Sequence, residues 1–267
     1  MVELSRTVRF CLDDRGPAEA GLATARHNTF AAWPAMRGLG RYYALTVTCR
    51  GEVDPVTGYF LNIKFIDEAV REHVLPHLAA LIAEGHAGDI AMGTLMQRLV
   101  ALLQPPLNDS VTELVFHLTP HYALEIRSDA MNHVIVRQQY AFSAAHRLHV
   151  PELSDAENRR IFGKCNNPAG HGHNYRLEIA VRSPVADTGQ ALDVADLDAL
   201  VDRAVIQKLD HKHLNRDVPQ FEGRNPSVEH IAQVIWHMLA DELRAMGEQL
   251  EEVRVWETDK TVCTYRG

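Results

Sequence analysis

Residues 165–175 read Cys165-Asn166-Asn167-Pro168-Ala169-Gly170-His171-Gly172-His173-Asn174-Tyr175, which places a thiol and two imidazoles in one short stretch. Side chains two apart in a strand share a face, so His171 and His173 can close on one metal ion. The glycines allow close backbone approach, and Asn-Pro marks a turn ahead of the strand. His146 ends the strand-like run that starts at Val134. It brings a third imidazole if that strand lies antiparallel beside the one the histidine pair begins. Three protein ligands with one open position suit catalytic zinc, whereas structural zinc is usually closed by four.

Other groups offer proton chemistry. Cys165 stands in a polar loop, Gly163 to Pro168, as a general base or nucleophile. A free thiol titrates near ~8.5, and the neighbouring Lys164 or a metal would lower that value. Cys11, Cys49 and Cys263 sit in apolar strand-like runs and fit inert burial. Asp210 and His211 are adjacent at a helix end, where a carboxylate can orient an imidazole and stabilise its charged form. The plainer alternative is a helix C-terminus decorated with cations, and His213 fits a structural role. Glu257 leaves a buried strand in Val255-Trp256-Glu257-Thr258. A carboxylate there can accept two parallel N–H bonds from a 2-amino-4-oxo heterocycle. Glu229, early in a helix, can assist it or simply complement the helix dipole. Arg147, Arg159, Arg160, Lys164, Lys212, Arg216 and Lys260 make a local anion site possible.

These groups need elements to hold them. Val134 to Ala145 and Tyr175 to Val181 read as strands, with a turn-rich connection from Ser183 to Gly189. Leu197, Leu200, Val201, Ala204, Val205 and Leu209 follow at helical spacing behind Asp196 as cap. A second helix starts at Pro226-Ser227, with Ser227 as N-cap and a stripe of Val228, Ile231, Ala232, Ile235, Leu239 and Leu243. Strands Glu252 to Glu257 and Thr261 to Tyr265 close the chain. The order is strand, strand, helix, helix, strand, strand.

The first half repeats that order. Val8 to Asp14 aligns with Tyr140 to His146, and Gly38 to Tyr43 with Gly170 to Tyr175. Further on, Thr57-Gly58 aligns with Thr188-Gly189, Ile66-Asp67 with Leu197-Asp198, and Leu114 to Thr119 with Val253 to Thr258. The offset stays near ~132 and drifts by a few residues late in the chain, as loop-length changes produce. Two copies of one module are therefore expected, residues 1–133 and 134–267. The first copy has lost the chemistry. Asp14, Trp33, Leu39, Arg41 and Leu118 stand where the second has His146, Cys165, His171, His173 and Glu257.

Composition sets outer bounds. The 267 residues are 46% apolar and 23% charged, ordinary for a globular chain. A net charge of −8 argues against nucleic acid as a main partner. No Cys-x-x-Cys pair, secretory signal or membrane-length apolar run is visible, so a reducing, cytoplasmic setting is expected.

Four motifs together resemble the 6-pyruvoyl-tetrahydropterin synthase / 6-carboxytetrahydropterin synthase family. They are Phe142 to Leu148, Phe162 to Tyr175, Leu209 to Asn215, and Trp256 to Asp259. The resemblance spans residues 135 to 267. It implies an α+β tunnelling fold, with tandem modules that each carry an antiparallel four-stranded sheet and two helices on one face. It also implies a homo-oligomer with active sites at module interfaces, and zinc on His146, His171 and His173. Cys165 would abstract the proton, Asp210 and His211 would form a relay, and Glu257, with Glu229, would bind the pterin. The implied substrate is 7,8-dihydroneopterin triphosphate. Elimination of triphosphate and internal redox would give 6-pyruvoyl-tetrahydropterin. Side-chain cleavage with release of acetaldehyde would give 6-carboxytetrahydropterin, on the deazapurine (queuosine) path. The long Cys165–His171 spacing resembles the pyruvoyl type. A non-catalytic pterin-binding protein, or an aldolase or epimerase on the same fold, are the rival readings.

Overall fold

The structure is a computed structural model that describes residues 1–13, 38–85 and 88–267. Asp14 and Trp33 lie outside the described residues. The chain forms two compact units, Met1–Ile135 with Pro184–Ala191, and Val136–Ser183 with Leu192–Gly267.

In the first unit β1 (Val2–Leu12) pairs with β2 (Arg41–Gly51), β2 with β3 (Val111–His117), and β3 with β4 (Tyr122–Arg127), all antiparallel. Alternation along β1 turns Val8, Phe10 and Leu12 inward. The register then lines Val8, Leu45, Phe116 and Leu124 into one buried row across the strands. Helices α1 (Ile63–Ala69) and α2 (Leu75–Ala83) are joined by a π turn, Val70–Val74, and α3 (Met92–Leu103) follows. Helix α1 touches β1, and α3 touches β3 and β4.

The second unit takes most of β5 (His133–His146), then α4 (Asp155–Phe162), β6 (His171–Pro184) and α5 (Val194–Val201). A π turn at Asp202–Ile206 leads to α6 (Gln207–Leu209), β7 (Lys212–His213) and α7 (Leu214–Asp217). The long helix α8 (Val228–Ala245) precedes β8 (Gln249–Thr258) and β9 (Thr261–Tyr265). The sheet order is β5-β6-β8-β9, with β6–β8 and β8–β9 antiparallel, and β7 adds two residues parallel to Ala144 and Ala145. Helix α8 lies on β8 and β9 and buries Ile231, Ala232, Ile235, Leu239 and Leu243. Each of the buried Ile and Leu side chains contributes roughly 1.5–3 kcal/mol by leaving water. Ser227 caps α8 as expected, accepting from the His230 N–H.

Three local expectations need correction. The cap of α5 is Asp193, not Asp196: its backbone is extended and its carboxylate accepts the Ala195 N–H at 2.8 Å. Asp196 sits in the first turn, where it complements the dipole instead. A helix, α4, interrupts the expected strand–strand succession, started by a reciprocal Ser154–Glu157 capping box. The segment holding Cys165 is a 3-10 turn, Gly163–Asn166, rather than an open loop.

Candidate functional site

The three histidines converge. Phe142, Ala144 and His146 alternate inward along β5, and Tyr175 stacks on Phe142 with ring centroids 5.0 Å apart. That stack brings the end of β5 against the start of β6. His171 and His173 begin β6 on one face, and the ring centroids of His146, His171 and His173 lie 4.6–5.2 Å apart. One nitrogen from each of the three lies within 4.8 Å of the other two.

His146 is fully buried, and its Nδ1–H donates to the Pro226 carbonyl at 2.7 Å. That bond fixes the tautomer and leaves the Nε2 lone pair 3.1 Å from His171 Nε2. Burial holds His146 well below the usual histidine range, at about 4. The Pro226 bond opposes this shift, and the imidazoles of His171, His173 and His213 add to it. Burial also lowers His171. His173 Nε2 is buried without a hydrogen-bond partner. The lowered His146 and His171, the orphaned His171 Nδ1 and His173 Nε2, and a backbone-anchored tautomer fit a metal ion held by these three residues. Among the described residues, this is the one group of three or more such side chains placed to do so.

Glu257, near the end of β8, joins them. Its Oε1 lies 3.6 Å from His146 Nε2 and 3.7 Å from His173 Nε2. Gly170 makes the close approach possible. It sits at φ +77°, and a Cβ there would meet His213 Nε2 at 2.8 Å and the His146 carbonyl oxygen at 3.0 Å. His213 fills that space, with both ring nitrogens buried and without a hydrogen-bond partner.

Cys165 is half-buried on the 3-10 turn, and its carbonyl accepts the Leu148 N–H at 2.9 Å. Burial and then the Glu257 carboxylate push its thiol up. The expected lowering by Lys164 therefore does not prevail; that side chain is exposed. Arg147, counted above among anion-binding candidates, is engaged in the same turn through Nε to the Asn166 carbonyl.

Asp210 and His211 form their pair elsewhere. Asp210 Oδ1 accepts the Ser143 N–H at 2.7 Å, and Oδ2 accepts from His211 Nδ1 at 2.7 Å. The Ser143 and His211 bonds hold the Asp210 carboxyl below the usual range. The His211 N–H donates to the Ser143 carbonyl, and its backbone takes φ 56°. Its side chain is 82% exposed, turned to solvent rather than into the histidine group. Glu229 lies in the first turn of α8, its carboxyl held low by Ser227 and its own backbone N–H.

A four-stranded sheet backed by helices thus carries three converging histidines that could hold a metal ion, with a carboxylate close by. Residues 135–267 match the family described as 6-pyruvoyl tetrahydropterin synthase. A 6-pyruvoyl tetrahydrobiopterin synthase of Drosophila melanogaster is 46% identical over 127 residues, 47% of this chain and 75% of that protein. The Homo sapiens protein of the same name is 42% identical over 49% of this chain and 90% of its own length. A 6-carboxy-5,6,7,8-tetrahydropterin synthase of Synechocystis is 30% identical over 49% of this chain and 92% of that protein. The chain belongs to the 6-pyruvoyl tetrahydropterin synthase family, and its fold is the α+β tunnelling fold that the sequence motifs implied. No helix among the described residues is long and apolar enough to cross a membrane.

Proposed function

We propose that the protein is a zinc-dependent lyase that converts 7,8-dihydroneopterin triphosphate to 6-pyruvoyl-tetrahydropterin with loss of triphosphate. The observation that carries this reading is the convergence of His146, His171 and His173 on one point with Cys165 and Glu257 beside it. Zinc bound by the three imidazoles supplies Lewis acidity to the side-chain oxygens of the substrate. Glu257 accepts the paired N–H groups of the pterin ring, with Glu229 in support. Cys165 removes a proton from a side-chain carbon. Its raised pKa means the resting group is the thiol, which must first pass on its own proton. The Asp210–His211 pair is the acceptor. His211 is exposed, which supports a relay presented to the zinc centre of a second copy in a homo-oligomer. Exposed Arg159, Arg160 and Lys164 border the turn and offset the charge of the departing triphosphate.

The first unit serves as a non-catalytic module. Apart from α4, β7 and α7 of the second unit, its strands and helices follow the same order, with a π turn after α1 as after α5, which supports its origin as a second copy. Leu39, Arg41 and Leu118 give it no comparable donor set.

The Cys165–His171 spacing supports the pyruvoyl product, as does the higher identity to the relatives of that name. Zinc-loaded protein incubated with the substrate tests this. Triphosphate release with chromatographic appearance of 6-pyruvoyl-tetrahydropterin is expected. Release of acetaldehyde would assign the 6-carboxy product instead, and no triphosphate release would end the lyase reading.

A further inference from the structure

The turn that carries Cys165 is short and has no side-chain cap at its start. Beyond two backbone bonds, Gly163 N–H to the Arg159 carbonyl and Leu148 N–H to the Cys165 carbonyl, it is attached through the next residue. Asn166 is buried, at 8% exposure. Its Nδ2 donates to the Leu148 carbonyl at 2.7 Å and to His149 Nδ1 at 3.0 Å, which uses both amide hydrogens. Arg147 closes the arrangement from the other side, through Nε to the Asn166 carbonyl at 3.3 Å and Nη2 to His149 Nδ1 at 3.2 Å. With two donors on Nδ1, the His149 proton must sit on Nε2.

The strand extension that receives these bonds is itself fixed. Asn215 accepts the Arg147 N–H at 2.8 Å and donates to the Arg147 carbonyl at 2.9 Å. Asn225 accepts the His149 N–H at 2.9 Å, and Asn158 accepts the Val150 N–H at 2.8 Å while donating to the Val150 carbonyl at 2.9 Å. This platform begins at the residue after His146, so whatever is bolted to it is held in register with the histidine centre.

We propose that Asn166 is the positioning residue for Cys165, and that its amide, clamped between the Leu148 carbonyl and His149 Nδ1, sets the thiol in register with His146. The geometry explains the residue type. A carboxylate has no donor for either acceptor, a hydroxyl has one, and a glutamine adds a methylene to a buried space. The inference rests on the reading of Cys165 as the proton-abstracting group.

The test uses the full-length, zinc-loaded protein with Asn166→Ala, Asn166→Asp, His149→Leu and His149→Asn. An asparagine at 149 keeps an acceptor near the Nδ1 position, and a leucine does not. In Asn166→Ala, Asn166→Asp and His149→Leu, kcat should fall about 10- to 100-fold, the cost of a misplaced reacting group, while KM and zinc content hold. His149→Asn should recover most of the loss. Site-resolved alkylation of Cys165 by iodoacetamide across pH, read on peptides by mass spectrometry, should show a changed rate and midpoint in the first three variants. Folded Asn166→Ala with unchanged kcat and an unchanged alkylation profile would overturn the proposal. If both Asn166 variants fail to fold, unchanged kcat and alkylation in His149→Leu overturn it. Failure of the underlying reaction looks different. Turnover surviving in Cys165→Ala would remove the catalytic role of the thiol, while the alkylation profiles would still report whether Asn166 places it.

Discussion

His146 and Pro226 are joined by a 2.7 Å hydrogen bond from imidazole Nδ1–H to backbone carbonyl. Pro226 immediately precedes the cap of α8, so the helix that covers the sheet also sets the tautomer of a histidine at the strand end. The consequence is a lone pair on Nε2 aimed at His171, available to a metal without a proton to displace.

Zinc retention should therefore depend on all three imidazoles. Replacing His146, His171 or His173 by Ala is expected to reduce bound zinc from near one per chain to under about a tenth after dialysis, with the far-ultraviolet spectrum preserved. Atomic absorption checks this, and full zinc content in any one variant removes that residue from the ligand set.

Cys165→Ala should keep its zinc and lose turnover by at least about a hundredfold, because general-base catalysis is worth that much. Steady-state triphosphate release together with metal analysis measures both.

The relay can be tested by mixing. Cys165→Ala and His211→Ala should each be inactive as homo-oligomers. Co-refolded together they should regain part of the wild-type activity if His211 of one copy serves the thiol of another. Activity that stays at the single-variant level would place both groups in the same copy. His211→Ala alone should lower the melting temperature only slightly, since the side chain is largely exposed and loses one bond, to Asp210.

Metal-free protein should lose stability in mild acid. His146 is neutral in the fold down to about 4, against 6.5 for an ordinary histidine. The unfolded chain binds the extra proton, so this contribution is fully present above about pH 6.5 and is lost as pH falls towards 4, on the order of 3 kcal/mol. Urea unfolding of chelator-treated protein at pH 7.5 and pH 5 reads the slope, which His146→Gln should flatten.

Gly170→Ala should destabilise the protein by roughly 1–3 kcal/mol and weaken zinc binding. The added Cβ would crowd His213 and the His146 carbonyl at a positive φ. Thermal unfolding and a zinc competition titration check it.

Much of the site was legible because its residues lie in short local motifs. The i, i+2 placement of His171 and His173 on one strand face follows from backbone alternation alone, and so does the inward turn of His146 at the end of β5. The apolar stripe of α8 follows equally from helical periodicity. Helix α4 carries a local signal too, the capping-box pair Ser154 and Glu157, but few apolar residues follow it to mark a helical face. The cap of α5 was ambiguous because two aspartates stand three apart, and only the backbone angle at Asp193 decides between them.

The rest was decided at long range. Chemistry-bearing residue types and their strand positions are fixed by the sequence, since side-chain direction in a strand needs no partner. The tautomer of His146 depends on a carbonyl eighty residues away. The upward shift of the Cys165 thiol comes from its burial and then from Glu257 on another strand. The outward turn of His211 depends on its docking to Ser143. Such contacts come from packing of distant segments, and no local pattern encodes them. Tertiary structure alone brings three histidines and a carboxylate together and fixes the tautomer of one imidazole.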